Sequence, residues 1–266
     1  YYIDFNNNDN EFIFNMKLSK DNNYLILSDY YNNTIKLLTL KNNYLYIIAG
    51  TFNIAGNISI YNQLLNKYIS RIYRPTDLVI KNDNNIIFID SFNGSIKEIE
   101  FLTNTISIIT GPILDDDNEW INQYKFQAEF KHKDNTDPNK VRFNNPKSIA
   151  INKDNSLLYI ADTNNNCIRL VYLSGNNYGK TETIVGQQNI KGDLPSINNN
   201  NSIQGNEVIL NNPQYISISN NDEYLFICDT NNNCIKYTKL TEPYTYNTKR
   251  INDISFIKPN YIIQHP

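Results

Sequence analysis

One unit of sequence recurs four times without gaps, and it limits the fold more than any other feature. Tyr24-Leu-Ile-Leu-Ser-Asp29 runs into Tyr30-Tyr-Asn-Asn-Thr-Ile35-Lys36. Ile86-Ile-Phe-Ile-Asp90 runs into Ser91-Phe-Asn-Gly-Ser-Ile96-Lys97. Leu158-Tyr-Ile-Ala-Asp162 and Leu225-Phe-Ile-Cys-Asp229 are followed by Thr163-Asn-Asn-Asn-Cys-Ile168-Arg169 and Thr230-Asn-Asn-Asn-Cys-Ile235-Lys236. Each copy reads as an apolar run, Asp, five linking residues, Ile, then Lys or Arg. The Asp residues stand about 61, 72 and 67 residues apart. That period, with β-type patterning, suits one sheet per copy.

The flanks recur too. An apolar stretch opened by Pro precedes three of the copies, at Pro75 to Ile80, Pro146 to Ile151 and Pro213 to Ile218. In the first copy Ile13 stands where the Pro would be. Pro lacks an N–H and fits where a ladder has not yet begun. A fourth stretch follows and ends in Gly50, Gly111 and Gly186; the last copy lacks that Gly, and its outer strand is placed around Tyr244 to Tyr246. Each unit thus holds four short strands, a to d, rich in Ile, Val, Tyr and Phe. The a–b turns are rich in Asn and Asp, which tolerate left-handed backbone and cap their own turns.

A four-stranded sheet cannot cover both of its own faces. Successive sheets set radially do so and leave only short protected edges. The expected fold is all-β, a β-propeller of four-stranded antiparallel blades. The blades are expected at about 11–50, 74–111, 143–186 and 210–247, with a partial further blade at about 255–266. Phe256 precedes Pro259 by three residues, as Ile72, Phe143 and Leu210 precede their prolines. The parent protein is expected to close a ring of five to seven blades.

The best-preserved copies, Tyr159-Ile-Ala-Asp162-Thr-Asn-Asn165-Asn-Cys-Ile168-Arg169 after Phe143-Asn-Asn-Pro146, and Phe226-Ile-Cys-Asp229-Thr-Asn-Asn232-Asn-Cys-Ile235-Lys236 after Leu210-Asn-Asn-Pro213, resemble the NHL repeat of NHL-type β-propellers. The family usually has Gly two residues after the Asp. Here Tyr31, Phe92, Asn164 and Asn231 stand there. Because Tyr and Phe tolerate positive φ poorly, the b–c turns of the first two blades are expected to differ in shape. The His of the family name is replaced by Asn33, Gly94, Asn166 and Asn233.

Composition excludes several functions. Net charge is −3, unlike that of a globally basic nucleic-acid binder. About 50 of the 266 residues are Asn, and Ile, Tyr and Lys are abundant too; this fits an AT-rich coding genome. No run of about 18 apolar residues could span a membrane. Three Cys in an odd count do not make a disulfide framework, which favours an intracellular site. Some NHL-type propellers hold a channel zinc through His, but His132 and His265 cannot supply three ligands. Asp115 to Asp117 with Glu119 lack the ligand spacing of an EF-hand loop. No catalytic set, metal or cofactor is therefore expected, and Cys167 and Cys234 read as strand residues.

Asp29, Asp90, Asp162 and Asp229 read as structural turn residues whose carboxylates accept backbone N–H groups of the b–c loop. Function is expected on long d–a loops, Thr51 to Tyr73, Pro112 to Arg142 and Gln187 to Ile209, sharing one rim with the b–c loops. The candidate binding surface is Arg71, Tyr73, Arg74, Trp120, Lys140, Arg142, Phe143 and Lys147. Basic and aromatic side chains together suit a protein or peptide partner, the leading expectation for a non-enzymatic scaffold. The alternatives are single-stranded RNA on the same face, as some NHL propellers bind, and a channel-metal hydrolase or lyase.

Overall fold

The computed structural model describes residues 13–56, 58–62, 67–103, 105–112, 134–187, 190–193, 203–240, 246, 248–251 and 259. They form four antiparallel sheets of four strands. The first comprises β1 (Ile13–Leu18), β2 (Tyr24–Asp29), β3 (Thr34–Thr39) and β4 (Leu45–Gly50). A hairpin of β5 (Ile58–Asn62) and β6 (Lys67–Arg71) follows. The second sheet holds β7 (Pro75–Asn82), β8 (Asn85–Asp90), β9 (Ser95–Glu100) and β10 (Thr105–Thr110). The third holds β11 (Ser148–Ile151), β12 (Leu157–Asp162), β13 (Cys167–Tyr172) and β14 (Thr181–Val185). The fourth holds β15 (Pro213–Ile218), β16 (Tyr224–Asp229), β17 (Cys234–Lys239) and β18 (Thr248–Arg250). In each sheet the strands lie side by side in chain order. The fold class is the one the repeat implies, a β-propeller of four-stranded blades.

By contacts the chain divides into two compact units, residues 1–129 and 130–266. In the first, Ile26, Ile35 and Ala49 of one sheet pack with Leu78, Ile86, Phe88 and Ile99 of the next, and Ile72 joins them. In the second, Ala150, Tyr159, Ile168 and Leu170 pack with Ile216, Leu225 and Ile227. Each core therefore lies between two facing sheets. The central strands show this directly. Ile86 to Asp90 are all buried, because both faces of β8 are covered, and so an unbroken apolar run replaces the usual alternation. The outer strand β4 keeps an exposed face at Tyr46 and Ile47.

Two local devices recur. The c–d ladders slip by one residue at the same step: between Ile35 and Lys36, Ile96 and Lys97, and Ile168 and Arg169. The extra residues on the outer strands are Ile48, Ile109 and Ile184, and this bulge sharpens the local twist beside the cation of strand c. The b–c turn is a single 3-10 turn at Ser91–Asn93, Thr163–Asn165 and Thr230–Asn232.

Three expectations are corrected. The segment Thr51 to Tyr73 is not a plain loop but contains β5 and β6; its Ile-Ser-Ile-Tyr and Tyr-Ile-Ser strings have strand composition. The fourth sheet's outer strand is Thr248–Arg250, beyond Tyr246, since only three residues pair and no Gly marks the end. The b–c turn of the second blade is not reshaped by Phe92, being a 3-10 turn like those of the third and fourth, whereas residues 30–33 of the first blade form a turn that is not 3-10. The residue with positive φ lies four after the Asp, not two: Asn33 (57°), Gly94 (59°), Asn166 (55°) and Asn233 (50°). Asn and Gly are the residues that tolerate this backbone. Trp120, Asp115 to Glu119, both His, and the partial blade apart from Pro259 lie outside the described residues.

Candidate functional site

Every blade carries the same buried cluster beneath its b–c turn. The Asp at the end of strand b pairs with the Lys or Arg seven residues later on strand c. Lys36 Nζ lies 2.7 Å from Asp29 Oδ2, and Lys97 Nζ 2.7 Å from Asp90 Oδ2. Arg169 Nη1 lies 2.9 Å from Asp162 Oδ2, and Lys236 Nζ 2.5 Å from Asp229 Oδ2. The same Oδ2 accepts from the Asn three residues on: Asn32 (2.9 Å), Asn93 (2.8 Å), Asn165 (2.8 Å) and Asn232 (2.7 Å).

The other carboxylate oxygen serves the d–a segment. Tyr73, Asn144 and Asn211 donate their backbone N–H groups to Oδ1 of Asp90, Asp162 and Asp229 at 2.7, 2.8 and 2.7 Å. Only in the first blade does the N–H come from the b–c turn, at Asn32 (3.3 Å). The expected b–c donors are therefore replaced in three blades by the chain arriving from the preceding blade. Asp90, Asp162 and Asp229 thus each join strand b, strand c, the b–c turn and the incoming d–a segment, and Asp29 joins the first three.

These side chains are fully or almost fully buried, so each pair must recover its own desolvation. Burial pushes the Asp162 and Asp229 carboxyls above the usual range, while Arg169 and Lys236 pull them back. Outer carboxylates assist the two cations of the second unit: Asp134 meets Arg169 Nη2 at 2.7 Å, and Asp193 meets Lys236 at 3.1 Å. An Asp so placed is held by charge and N–H groups. Among the described residues no group of three or more His, Cys, Asp or Glu could hold one metal ion.

Above these clusters the backbone repeats and the side chains do not. Phe92, Asn164 and Asn231 all donate a backbone N–H to the carbonyl twenty or so residues back, at Tyr73 (3.1 Å), Asn144 (3.1 Å) and Asn211 (3.0 Å). In the third and fourth blades the corresponding side chains are amides, with Asn164 Nδ2 near Asn144 Oδ1 at 3.3 Å and Asn231 Nδ2 near Asn211 Oδ1 at 3.4 Å. In the second blade the pair is Phe92 and Tyr73, edge to face with centroids 5.0 Å apart. Tyr30 and Tyr31, where the last two blades have Thr and Asn, continue the patch. Tyr30 stacks on Phe14 at 5.9 Å and meets Phe92 at 6.3 Å, and Tyr31 is 53% exposed.

Arg74 stands in this patch with φ 51°, in the position of Asn145 (50°) and Asn212 (57°). The left-handed region costs an ordinary L-residue about 1–2 kcal/mol and Asn less. Its N–H donates to Asn33 Oδ1 at 2.9 Å, as Asn212 N–H does to Asn166 Oδ1 at 2.8 Å. Its guanidinium lies 4.6 Å from the centroid of Phe92, 5.4 Å from that of Tyr30 and 5.6 Å from that of Tyr73.

The remaining candidates separate. Arg71 ends β6, partly buried. Lys140 is exposed and pairs with Asp137 at 3.2 Å. Arg142 donates to the carbonyls of Asn139 and Val141, and Lys147 is partly buried. Phe143 is fully buried with Arg169 5.0 Å from its ring centroid, so it supports the ion pair from within and is not a surface residue. Tyr30, Tyr31 and Phe92 were not among the expected candidates. The signal for them is a comparison of aligned copies, where an aromatic interrupts a column of Thr or Asn.

Residues 124–241 match the family described as the Teneurin NHL domain. That span covers the third blade and the first three strands of the fourth, with both of their Asp–Asn–cation clusters. Over that stretch the chain resembles the NHL-repeat β-propellers. A comparison with curated proteins finds no match. Among solved structures, the chain is similar to a Bacteroides thetaiotaomicron protein of unknown function, at 14% identity and TM-score 0.50, over 88% of this chain and 46% of that one. A chain of the nidogen/laminin complex is similar at 12% identity and TM-score 0.54, over 92% and 66%. A catalytically inactive virginiamycin B lyase of Staphylococcus aureus, solved with quinupristin, is similar at 12% identity and TM-score 0.50, over 91% and 56%. These likenesses concern the fold. The chain spans roughly half to two-thirds of the length of these solved chains.

Proposed function

We propose that this propeller is a non-catalytic recognition module that binds a protein or peptide partner through the loops of its first two blades. One observation carries the reading: Tyr73, Arg74 and Phe92 replace Asn on a backbone that keeps its hydrogen bonds, and Tyr30 and Tyr31, where the last two blades have Thr and Asn, extend the patch. Stability does not require aromatics there, since two blades manage with amides. Tyr and Arg are the residues that dominate binding energy at protein interfaces. The RNA reading is weaker, because Lys36, Lys97, Arg169 and Lys236 are neutralised within the blades. A hydrolase reading finds its carboxylates occupied in the same pairs.

The test installs the residues of the later blades at four positions, Tyr31→Asn, Tyr73→Asn, Arg74→Asn and Phe92→Asn together. Crosslinking and mass spectrometry in the native cell should recover a partner with the parent chain and lose it with this variant, at unchanged circular dichroism. Equal recovery from both chains, or no partner from either, refutes the proposal.

A further inference from the structure

We infer that Arg74 is the anion-reading residue of this patch and that the partner offers it a carboxylate, so that the bound segment is an acidic peptide. The inference rests on the recognition reading above and specifies its chemistry. The backbone at this position wants Asn, as Asn145 and Asn212 demonstrate, and Arg gains nothing from its positive φ. Its side chain is instead held by three rings, from Phe92 on the b–c turn of the second blade, Tyr30 on that of the first, and Tyr73 beside it. Among the described residues the guanidinium meets no carboxylate or carbonyl. Arg142, Arg169 and Arg250 each donate to a protein oxygen.

Rings against a guanidinium cover its flat faces and leave its in-plane N–H edges. Those edges match the two oxygens of a carboxylate, and clamping lowers the entropy lost when it binds. The turn carboxylates of these two blades cannot satisfy it, since Asp29 and Asp90 are fully buried on Lys36 and Lys97. A nucleic-acid strand would need several exposed cations in a row, and the two lysines below are buried and paired. The exposed ring of Tyr31 offers an apolar wall for the residue next to the acid.

The test pans a phage-displayed library of random dodecapeptides on the full 266-residue chain. Enriched peptides are expected to share an Asp or Glu at one position. A synthetic copy should bind the Arg74→Asn chain at least tenfold more weakly. Replacing that acid by its amide should cost the parent chain a similar factor and the variant almost nothing. Arg74→Asn carries the residue found in two sister blades, so its melting temperature should stay near that of the parent. Peptides without a shared acid that bind Arg74→Asn equally but fail on Phe92→Asn would overturn the carboxylate assignment and leave peptide recognition standing. Absence of enrichment would overturn both. Oligouridylate that binds the parent and fails on Arg74→Asn would overturn the carboxylate in favour of phosphate.

Discussion

At the residue scale the buried Asp–cation pairs set the largest single costs. Lys97→Met leaves the Asp90 charge buried with its N–H and amide donors but no cation. Removing one partner of such a pair costs about 3–5 kcal/mol, which urea denaturation would read as a lower midpoint. Asp90→Asn combined with Lys97→Met keeps an acceptor for the Tyr73 N–H and removes the stranded charge. The double variant should be more stable than Lys97→Met alone, and strictly additive losses would contradict the pairing. The three thiols give a second prediction. Burial pushes Cys228 up to about 12 and Cys234 up to about 11, and also raises Cys167. A thiol reagent at about pH 8 should label none of them in the native chain and all three in urea, because the thiolate is the reactive form. The unfolded thiols ionise from about 9.0 while the folded ones keep their protons, so stability falls as pH climbs above 9 and is indifferent to these groups below it.

At the scale of the element, the glycine that ends the outer strand touches the neighbouring turn. Gly111 has φ 123°, and a Cβ there would stand 2.6 Å from Ser95 Cα and 2.8 Å from the Gly94 carbonyl oxygen. Gly186, at φ 102°, would put one 2.6 Å from the Asn166 carbonyl oxygen. Gly111→Ala and Gly186→Ala should each cost about 1–3 kcal/mol through backbone strain and more through the clash, seen as a lowered melting temperature. The strands and the Gly at their ends were legible because burial on both faces writes an unbroken apolar run and the period repeats it. The turn was half legible. The Asp was visible, yet its partner seven residues on was read only as part of the pattern, because strand pairing and not sequence distance brings Lys97 to Asp90. The expected distortion at Phe92 failed for a similar reason. The family's Gly occupies a position that in the second blade lies within the 3-10 turn, where any L-residue fits, and the left-handed residue comes two later at Gly94. The hairpin β5–β6 was overlooked because its strands follow a strand d and interrupt the four-strand rhythm.

For the molecule as a whole, the distribution of charge matters more than its sum. The chain has 24 basic residues against 27 acidic ones, and one cation from each blade is spent inside it. Oligouridylate should therefore show a shallow salt dependence. A slope of log K on log salt steeper than about −2 would mean at least three neutralised phosphates and would restore the nucleic-acid reading. The candidate surface was the least legible part of the sequence. Arg74 and Tyr73 were visible as a basic and an aromatic loop residue, but Phe143 looked the same and is buried on Arg169. Proximity in sequence carries no information on which loop residues face inward when a cation below needs a ring. The shared N–H donations across blades have an engineering corollary. Since Asn144, Asn145 and Asn164 hang from the same main-chain frame as Tyr73, Arg74 and Phe92, the specificity of one blade pair is a cassette, and three substitutions would graft most of it onto another blade without rebuilding a loop.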